Sequence, residues 1–277
     1  MLYGQGMAHL AVPWPFDFAL STERFRAFGV DNASLWHEGG LHRVVGGREL
    51  RIEAAPGGVD AEPLDAETEP VVRALVGLAF ELEEFYAWAA GDAVLAEIVP
   101  PLAGFRPPLI PDPFEMLVGA ITAQQVSLRS ATAIRNRLIE RFGIQVGSAW
   151  SFPSRERIAS ASEDELFAVG LTHRKSEYVI GLARSELDLE SLAALPDDEV
   201  KARLVALRGL GEWTADWFLA RHLARPRAWP VGDLALRKAV EHFYGESDER
   251  AAGARFDPFQ NLSAHYLLAG LYAGVGS

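Results

Sequence analysis

Two glycines, two tryptophans and an aspartate lie in one segment, and their types suggest chemistry. Gly209 and Gly211 flank a single leucine, and Trp213 and Trp217 follow on the predicted next helix. A glycine lets another backbone approach closely, and the free amides at the start of a helix suit a phosphate group. Indole rings favour a flat cation, and the carboxylate of Asp233 can stabilise a positive charge that develops during a reaction. The segment therefore suggests a site for a phosphate, a flat ring and a reacting centre.

The sequence around these residues predicts a helix, a very tight turn and a second helix. Helix-forming sequence covers residues 197–206 and 213–223, so we place a helix-hairpin-helix at about 197–223. Each residue also has a purely structural interpretation. The glycines fit an ordinary helical hairpin, the tryptophans fit a buried core, and Asp233 fits the N-cap of the helix that follows it. The local sequence leaves both interpretations open.

A polar pair, Gln124 and Gln125, ends an otherwise apolar helix. The segment reads DPFEMLVGAITAQQVS, and its apolar residues recur on one face that we expect to be buried. Amide side chains at a helix end can contact a base or fill the gap that an extruded base leaves. An ordinary helix end with solvated glutamines is an equally good interpretation of these residues.

Residues 1–66 predict a strand-rich module. Apolar and polar residues alternate on both sides of Gly46 and Gly47, which predicts a hairpin, and the segment 14–20 suggests a further strand. The module has no evident catalytic group. Two histidines, His37 and His42, are too few to bind a metal, and we expect both at the surface.

The rest of the chain predicts helices. Residues 67–112 suggest a helix and a proline-rich connection, and residues 113–277 suggest an almost wholly α-helical core. The predicted fold class is therefore α+β, with an N-terminal antiparallel β-sheet module followed by a mainly helical core.

Composition limits the possible chemistry and partners. The chain has no cysteine, which removes disulfides, thiolate catalysis, zinc–cysteine sites and iron–sulfur clusters. The net charge of −12 argues at first against nucleic acid as a partner. However, the segment 60–98 holds ten acidic residues against Arg73 alone, so the rest of the chain is only slightly acidic. No apolar run has the roughly 18 residues of a membrane span, and no signal peptide is evident, so we expect a cytoplasmic protein without a membrane partner. We also expect a monomer.

Four motifs together resemble a known family. In chain order they are DPFEMLVGAITAQQVS, GLTHRKSEYV, LRGLGEWTADWF and WPVGDLALRKAV. They resemble the helix-hairpin-helix (HhH-GPD) DNA glycosylase superfamily, and in detail the DNA-3-methyladenine glycosylase II type, over residues 110–270. The resemblance implies an enzyme of base excision repair that extrudes alkylated purines from double-stranded DNA and hydrolyses the N-glycosidic bond.

The resemblance also assigns roles to residues. It implies that Asp233 is the catalytic carboxylate and that Gln125 enters the space left by the extruded base. The base pocket would be lined by Trp213, Trp217 and Leu268. The implied DNA-binding residues are Gln124, Gln125, Gly209, Leu210, Gly211 and Thr214. Leu268 stands where an aromatic residue is common in the family, so we expect a more open pocket.

The resemblance further implies which cofactors and reactions to expect. Relatives that also cut the DNA strand have a lysine for Schiff-base chemistry where this chain has Trp213, so we expect no lyase activity. No cofactor is required, and the absence of cysteine excludes the iron–sulfur cluster of one branch. A structural monovalent cation, Na⁺ or K⁺, would bind main-chain carbonyls of Val205, Leu207 and Leu210. Two alternatives stay open: a glycosylase of this fold for an oxidised or deaminated base, and a non-catalytic DNA-binding module.

Overall fold

The N-terminal part of the chain forms a five-stranded antiparallel sheet in a computed structural model that describes residues 7–246 and 248–275. The strand order is β1-β5-β4-β3-β2. The strands are β1 (Ala8–Ala11), β2 (Leu35–His37), β3 (Gly40–Val45), β4 (Arg48–Ala55) and β5 (Gly58–Glu62). Gly46 and Gly47 connect β3 to β4 with φ angles of 55° and 74°, as the predicted hairpin requires. Leu41, Leu50 and Ile52 form the buried face of this sheet.

The segment 14–20 does not form the strand that we expected. Phe18–Thr22 is helix α1, and Arg24–Ala27 is helix α2. The Asp17 carboxylate accepts a hydrogen bond from the Leu20 N–H at 2.9 Å. This N-cap satisfies a backbone donor that the start of a helix leaves free, which favours the helix over a strand.

The remaining helices enclose a second, larger apolar core, whose fully buried side chains include Phe85, Phe218 and Tyr266. The described helices are α3 (Glu69–Leu75), α4 (Leu82–Ala89), α5 (Leu95–Ile98), α6 (Pro113–Ala123), α7 (Leu128–Phe142), α8 (Arg155–Ala159), α9 (Glu163–Ala168), α10 (His173–Arg184), α11 (Asp197–Val205), α12 (Glu212–Arg221), α13 (Leu234–Tyr244), α14 (Glu249–Arg255) and α15 (Gln260–Ala273). Short 3-10 helices cover Pro100–Leu102 and Glu190–Ala194. Within the described ranges, no helix is long and apolar enough to cross a membrane.

A small hairpin interrupts the part of the chain that we expected to be almost wholly helical. Its strands are β6 (Gln145–Val146) and β7 (Ala149–Trp150). Between them, the Ser148 N–H donates to the Glu49 carboxylate of β4 at 3.1 Å, and His42 Nδ1 lies 2.8 Å from the same carboxylate. His42 is consequently buried, and our expectation that it lies at the surface was wrong. The hairpin attaches the helical core to the sheet, a contact that no local pattern could show.

A buried group of charges also joins the two parts. The Glu115 carboxylate on α6 pairs with Arg43 of β3 and lies 2.6 Å from Nη2 of Arg135 on α7. Arg135 also pairs with Asp31 at 3.3 Å. Burial opposes the ionisation of Glu115, but the two guanidinium groups outweigh it and lower the Glu115 pKa to about 2. The ionised carboxylate of Glu115 therefore links the sheet to the helical core.

Candidate active site

Asp233 caps the start of α13 and receives four N–H hydrogen bonds. Its Oδ1 accepts the backbone N–H groups of Ala235 and Leu236, both at 2.9 Å. Its Oδ2 accepts the indole N–H groups of Trp213 and Trp217, also at 2.9 Å each. Four such hydrogen bonds set the orientation of the carboxylate.

Two elements bring this carboxylate into place. Trp213 and Trp217 are four residues apart on α12, so both indoles extend from one face of the helix. Gly232 has a φ of 82°, a left-handed conformation that glycine adopts easily, and it leads the chain into the N-cap position. Asp233 stays partly exposed, so a ligand can reach it. The capping interpretation and the catalytic interpretation of Asp233 are thus compatible in one geometry.

Trp217 is placed differently from the stacking surface that we predicted. Its side chain is only 2% exposed. The guanidinium carbon of Arg221 lies 3.6 Å from the centre of its ring, and His265 meets the ring edge-on at 5.6 Å. No ring face is left open for a base, so in this structure Trp217 orients Asp233. Trp213 is partly exposed and keeps some surface near the carboxylate.

Two arginines carry positive charge beside this site. Burial and then the nearby charge of Arg24 lower the pKa of Arg221 to about 9. Burial likewise lowers the pKa of Arg24. His265 is uncharged at neutral pH, because burial and then the charge of Arg221 lower its pKa to about 3. Asp233 raises the pKa of Arg221, whereas Asp31 and Glu115 are the carboxylates that raise the pKa of Arg24.

The N-terminal module contributes to the same region, although its sequence showed no catalytic group. Arg24 lies on α2, and Phe28 directly follows that helix. The Phe28 ring meets Tyr272 of α15 edge-on at 5.6 Å. Burial and then the Asp233 carboxylate raise the pKa of Tyr272, which places this phenol within electrostatic range of the site. Sequence reasoning missed Arg24, Phe28 and Tyr272.

Some of the missed residues had a weak signal in the sequence. Arg221 follows Trp217 by four residues, so helical spacing alone could have placed it on the same face of α12. Nothing comparable links Arg24 to Asp233, because they lie far apart in the chain. Leu268, which we predicted to line the pocket, lies on α15 and is only 8% exposed. It packs in the helical core, so its side chain offers little surface to a ligand.

The hairpin between α11 and α12 uses its two glycines in different ways. Gly209 has a φ of 94°, and a Cβ there would lie 2.2 Å from the Tyr178 ring. Gly211 has an extended backbone, and a Cβ there would meet no atom of the described residues within 4 Å. Gly209 is thus required by packing within the protein, whereas Gly211 leaves the start of α12 open. Thr214 is 1% exposed, so only its backbone, not its hydroxyl, is a candidate for binding DNA.

The loop after α6 is connected to this hairpin. Gln124 Nε2 donates to the Gly209 carbonyl at 2.9 Å. Lys175 Nζ donates to the carbonyls of Thr122 and Gln124, at 2.9 and 2.7 Å. Gln125 is exposed and has a φ of 55°, which is uncommon for a residue with a side chain. The geometry therefore holds Gln125 outward, at a fixed position relative to the hairpin.

The described residues contain no group of histidine, aspartate and glutamate side chains arranged to bind a metal. The three carbonyls that we predicted to bind a cation lie at the hairpin. The Leu207 carbonyl accepts the Leu210 N–H at 3.1 Å. A carbonyl oxygen has two lone pairs, so this bond leaves one available.

Comparison with known proteins agrees with this architecture. Residues 118–257 match the model of the HhH-GPD superfamily of base excision DNA repair proteins. The structure of a 3-methyladenine DNA-glycosylase from Archaeoglobus fulgidus superposes with a TM-score of 0.85 and 26% identity, covering 97% of this chain and 99% of that one. The chain therefore belongs to the HhH-GPD superfamily, and the predicted family and α+β fold class are confirmed.

Two sequence relatives carry related names. A DNA-3-methyladenine glycosylase of Bacillus subtilis is 34% identical over 58% of this chain and 56% of its own length. A probable bifunctional transcriptional activator and DNA repair enzyme of Mycobacterium tuberculosis is 30% identical over 74% of this chain and 40% of its own length. The chain thus spans about half the length of these relatives.

Proposed function

We propose that this protein is a monofunctional DNA glycosylase of the 3-methyladenine type, which removes alkylated purines from double-stranded DNA and leaves an abasic site. The observation that carries the proposal is the Asp233 carboxylate, partly exposed and oriented by four N–H donors. Breaking an N-glycosidic bond builds positive charge on the deoxyribose. A fixed anion beside that sugar stabilises the transition state.

The hydrogen bonds favour an electrostatic role for Asp233. Its Oδ2 accepts two indole N–H groups and its Oδ1 accepts two backbone amides, so the carboxylate is held in one fixed orientation. Such a carboxylate is better suited to stabilising the cationic sugar than to removing a proton from water. The bond between C1′ and the base breaks with its electron pair on the base, so the cationic alkylated base leaves as a neutral molecule and the positive charge passes to the sugar. A water molecule then adds its oxygen to C1′ and loses one proton to the solvent.

The surface beside Asp233 supports DNA as the ligand. Gly211 leaves the first turn of α12 open, so a phosphate can approach its backbone amides without a basic side chain. This mode of binding suits an acidic protein. Gln125 extends from the connected loop, where it can fill the space of an extruded base. One chain supplies all of these parts, which supports a monomeric enzyme.

We also propose that the hairpin binds a monovalent cation through the Val205, Leu207 and Leu210 carbonyls. Carbonyl oxygens are suitable ligands for such a hard cation. Replacing Na⁺ and K⁺ by tetramethylammonium, at constant ionic strength, should then weaken binding to an abasic duplex. Equal affinity in both buffers would contradict this site.

The test of the enzyme uses DNA treated with a methylating agent and the variant Asp233→Asn. The wild type should release 3-methyladenine and 7-methylguanine, and Asp233→Asn should release almost none while still binding an abasic duplex. Asp248→Asn is a matched control, because Asp248 caps α14 with two similar hydrogen bonds and has no indole partner among the described residues. If wild type and Asp233→Asn bind DNA and release equally negligible amounts, the alkylated-purine proposal is lost. Release of an oxidised or deaminated base in a lesion panel would then indicate another glycosylase, and no release would indicate a non-catalytic module.

The absence of lyase activity has its own test. Trp213 stands where a Schiff-base lysine would be, and its indole is bonded to Asp233. We expect Trp213→Lys not to gain strand cleavage, since the substitution also removes a donor to the catalytic carboxylate. A covalent adduct trapped with borohydride on an abasic duplex would contradict this expectation.

A further inference from the structure

The loop between α6 and α7 has an unusual backbone conformation at an exposed residue. Gln125 has a φ of 55°, and it is one of three residues other than glycine with a positive φ in the part of the chain that the structure describes. A residue with a side chain adopts this conformation at a cost in free energy, so the conformation persists where surrounding contacts impose it. The neighbours of Gln125 must therefore supply such contacts.

Lys175 supplies the most direct of these contacts. Its ammonium group, on α10, donates to the Thr122 carbonyl at 2.9 Å and to the Gln124 carbonyl at 2.7 Å. Both carbonyls lie at the C-terminal end of α6, where a helix leaves carbonyls free and its dipole favours a cation. The Gln124 carbonyl belongs to the peptide bond that joins Gln124 to Gln125. Lys175 thus holds the peptide plane that enters into the φ of Gln125.

The ammonium group of Lys175 is committed to the protein. The side chain is partly buried, and this burial lowers the pKa of Lys175. An ammonium group that gives up water needs acceptors in exchange, and the two carbonyls provide them. Lys175 is therefore placed as an internal support of the loop, in contrast to an exposed cation that meets a phosphate.

The residues on both sides of Gln125 are also held. Gln124 Nε2 donates to the Gly209 carbonyl of the hairpin at 2.9 Å. The Ser127 side chain is the N-cap of α7 and accepts a backbone N–H of its first turn. The loop therefore has a defined shape before any ligand binds.

The exposed side chains of this loop suit the interior of a duplex. Val126 and Leu128, close to Gln125, are 38% and 43% exposed. Apolar groups are stabilised when bases enclose them, and an amide can replace hydrogen bonds that an extruded base leaves behind. Ordering a loop during binding costs conformational entropy, so a loop with a fixed shape inserts at lower cost.

We propose that Lys175 is a positioning residue for base extrusion, which holds the peptide after Gln124 so that Gln125 enters the duplex as the damaged base leaves. This inference rests on the proposed glycosylase function and adds a residue to its extrusion step. Lys175 touches neither the base nor the sugar. Its contribution passes through Gln125, and the chemistry at Asp233 does not depend on it.

A double-mutant cycle of Lys175→Met and Gln125→Ala tests this inference, with single-turnover excision of 7-methylguanine as the readout. Each single variant should slow excision by about tenfold, the scale of losing one charge-assisted hydrogen bond. The double variant should be no slower than Gln125→Ala, because Lys175 then has no side chain to position. The control Arg73→Met removes an exposed cation that pairs with Glu69 on α3, and it should match the wild type.

A further variant, Gln125→Asn, tests whether Lys175 acts through the backbone. Asparagine adopts a positive φ more readily than glutamine and keeps an amide group. In the Gln125→Asn background, Lys175→Met should therefore slow excision by clearly less than tenfold. A loss that stays at about tenfold would show that Lys175 does not act through the φ of residue 125, and it would overturn the inference.

The salt dependence of binding separates an internal support from a phosphate contact. For an undamaged duplex, the slope of log affinity against log salt should be the same in wild type and Lys175→Met. A slope less steep by about 0.9 would mean that Lys175 neutralises a phosphate, and it would overturn the inference.

The remaining outcomes separate this inference from the proposed function. Three results would overturn the inference and leave the function intact: additive losses in the cycle, full activity of Gln125→Ala, or a melting temperature of Lys175→Met low enough to account for its slower excision. A wild type that releases no 7-methylguanine, with Asp233→Asn unchanged from it, would overturn both.

Discussion

At the scale of single residues, the two oxygens of Asp233 are held from two directions. The backbone of α13 binds Oδ1, which any N-cap aspartate would allow, while the indoles of α12 bind Oδ2. The second pair distinguishes this aspartate from an ordinary cap. Trp213 and Trp217 are therefore positioning residues that orient Asp233. This differs from the stacking role that we predicted for them.

Trp213→Phe tests this positioning role. The substitution keeps an aromatic ring but removes one N–H donor to Oδ2, so we expect excision of 7-methylguanine in single-turnover assays to slow by about 100-fold. DNA affinity and the melting temperature should change little. Trp14→Phe is the control, because Trp14 is 89% exposed. Full activity of Trp213→Phe would show that the indole N–H groups are not needed.

At the scale of elements, the hairpin and the loop of Gln125 form one unit. Gln124 bonds to the Gly209 carbonyl, and Lys175 of α10 holds the end of α6. In the proposed complex, contact of DNA with the hairpin would therefore set where Gln125 meets the duplex. The unit connects α6, α10 and the α11–α12 hairpin, which lie apart in the sequence. Its geometry therefore does not depend on the hairpin turn alone.

The two hairpin glycines should respond differently to alanine. Gly209→Ala meets the Tyr178 ring and keeps a positive φ, so we expect a loss of stability of about 1–3 kcal/mol, measured by urea unfolding. Gly211→Ala meets nothing in the described protein and should leave unfolding unchanged. Its methyl group would stand at the proposed phosphate position, so affinity for an abasic duplex should fall about tenfold, or about 1.4 kcal/mol. Unchanged DNA affinity of Gly211→Ala would contradict phosphate binding at this position.

At the scale of the whole molecule, the N-terminal module is part of the site and not an appendage. Its α2 places Arg24 beside Arg221, and its strand β3 pairs with the core through Glu115. The position of Arg24 thus depends on how the sheet is attached. Buried charges make that attachment specific, because each must keep its partner.

Glu115→Gln should weaken this attachment. It leaves Arg43 and Arg135 without their shared carboxylate, and losing one partner of a buried ionic group costs about 3–5 kcal/mol. The pKa of Glu115 is lowered from 4.5 to about 2 in the folded protein. Its contribution is therefore present above about pH 4.5 and is lost as the pH falls toward 2.

Urea unfolding at pH 7 and pH 3 checks both statements about Glu115. The difference between wild type and Glu115→Gln should be large at pH 7 and smaller at pH 3. Glu84→Gln, at an exposed position of α4, is the control and should behave as the wild type at both pH values. A difference that does not shrink at pH 3 would show that ionisation of Glu115 is not its source.

The sequence by itself determined the local elements and the order of the motifs. Helical spacing and the glycines predicted the hairpin at about 197–223, and alternation predicted the β3–β4 turn, because these patterns depend on neighbours along the chain. Local position predicted Asp233 as an N-cap, and the resemblance to the glycosylase family made it the candidate catalyst. The local patterns wrongly predicted a strand for the segment 14–20, where an N-cap hydrogen bond stabilises a helix instead.

Only the tertiary structure decided what surrounds Asp233. Spacing placed Trp213 and Trp217 on one face of α12, but it did not show that their N–H groups point to the carboxylate or that Arg221 covers Trp217. Nor could it bring Arg24 to the site from the far end of the chain. The physical reason is that side-chain direction and the approach of distant segments are set by packing and buried charge, which no local pattern records.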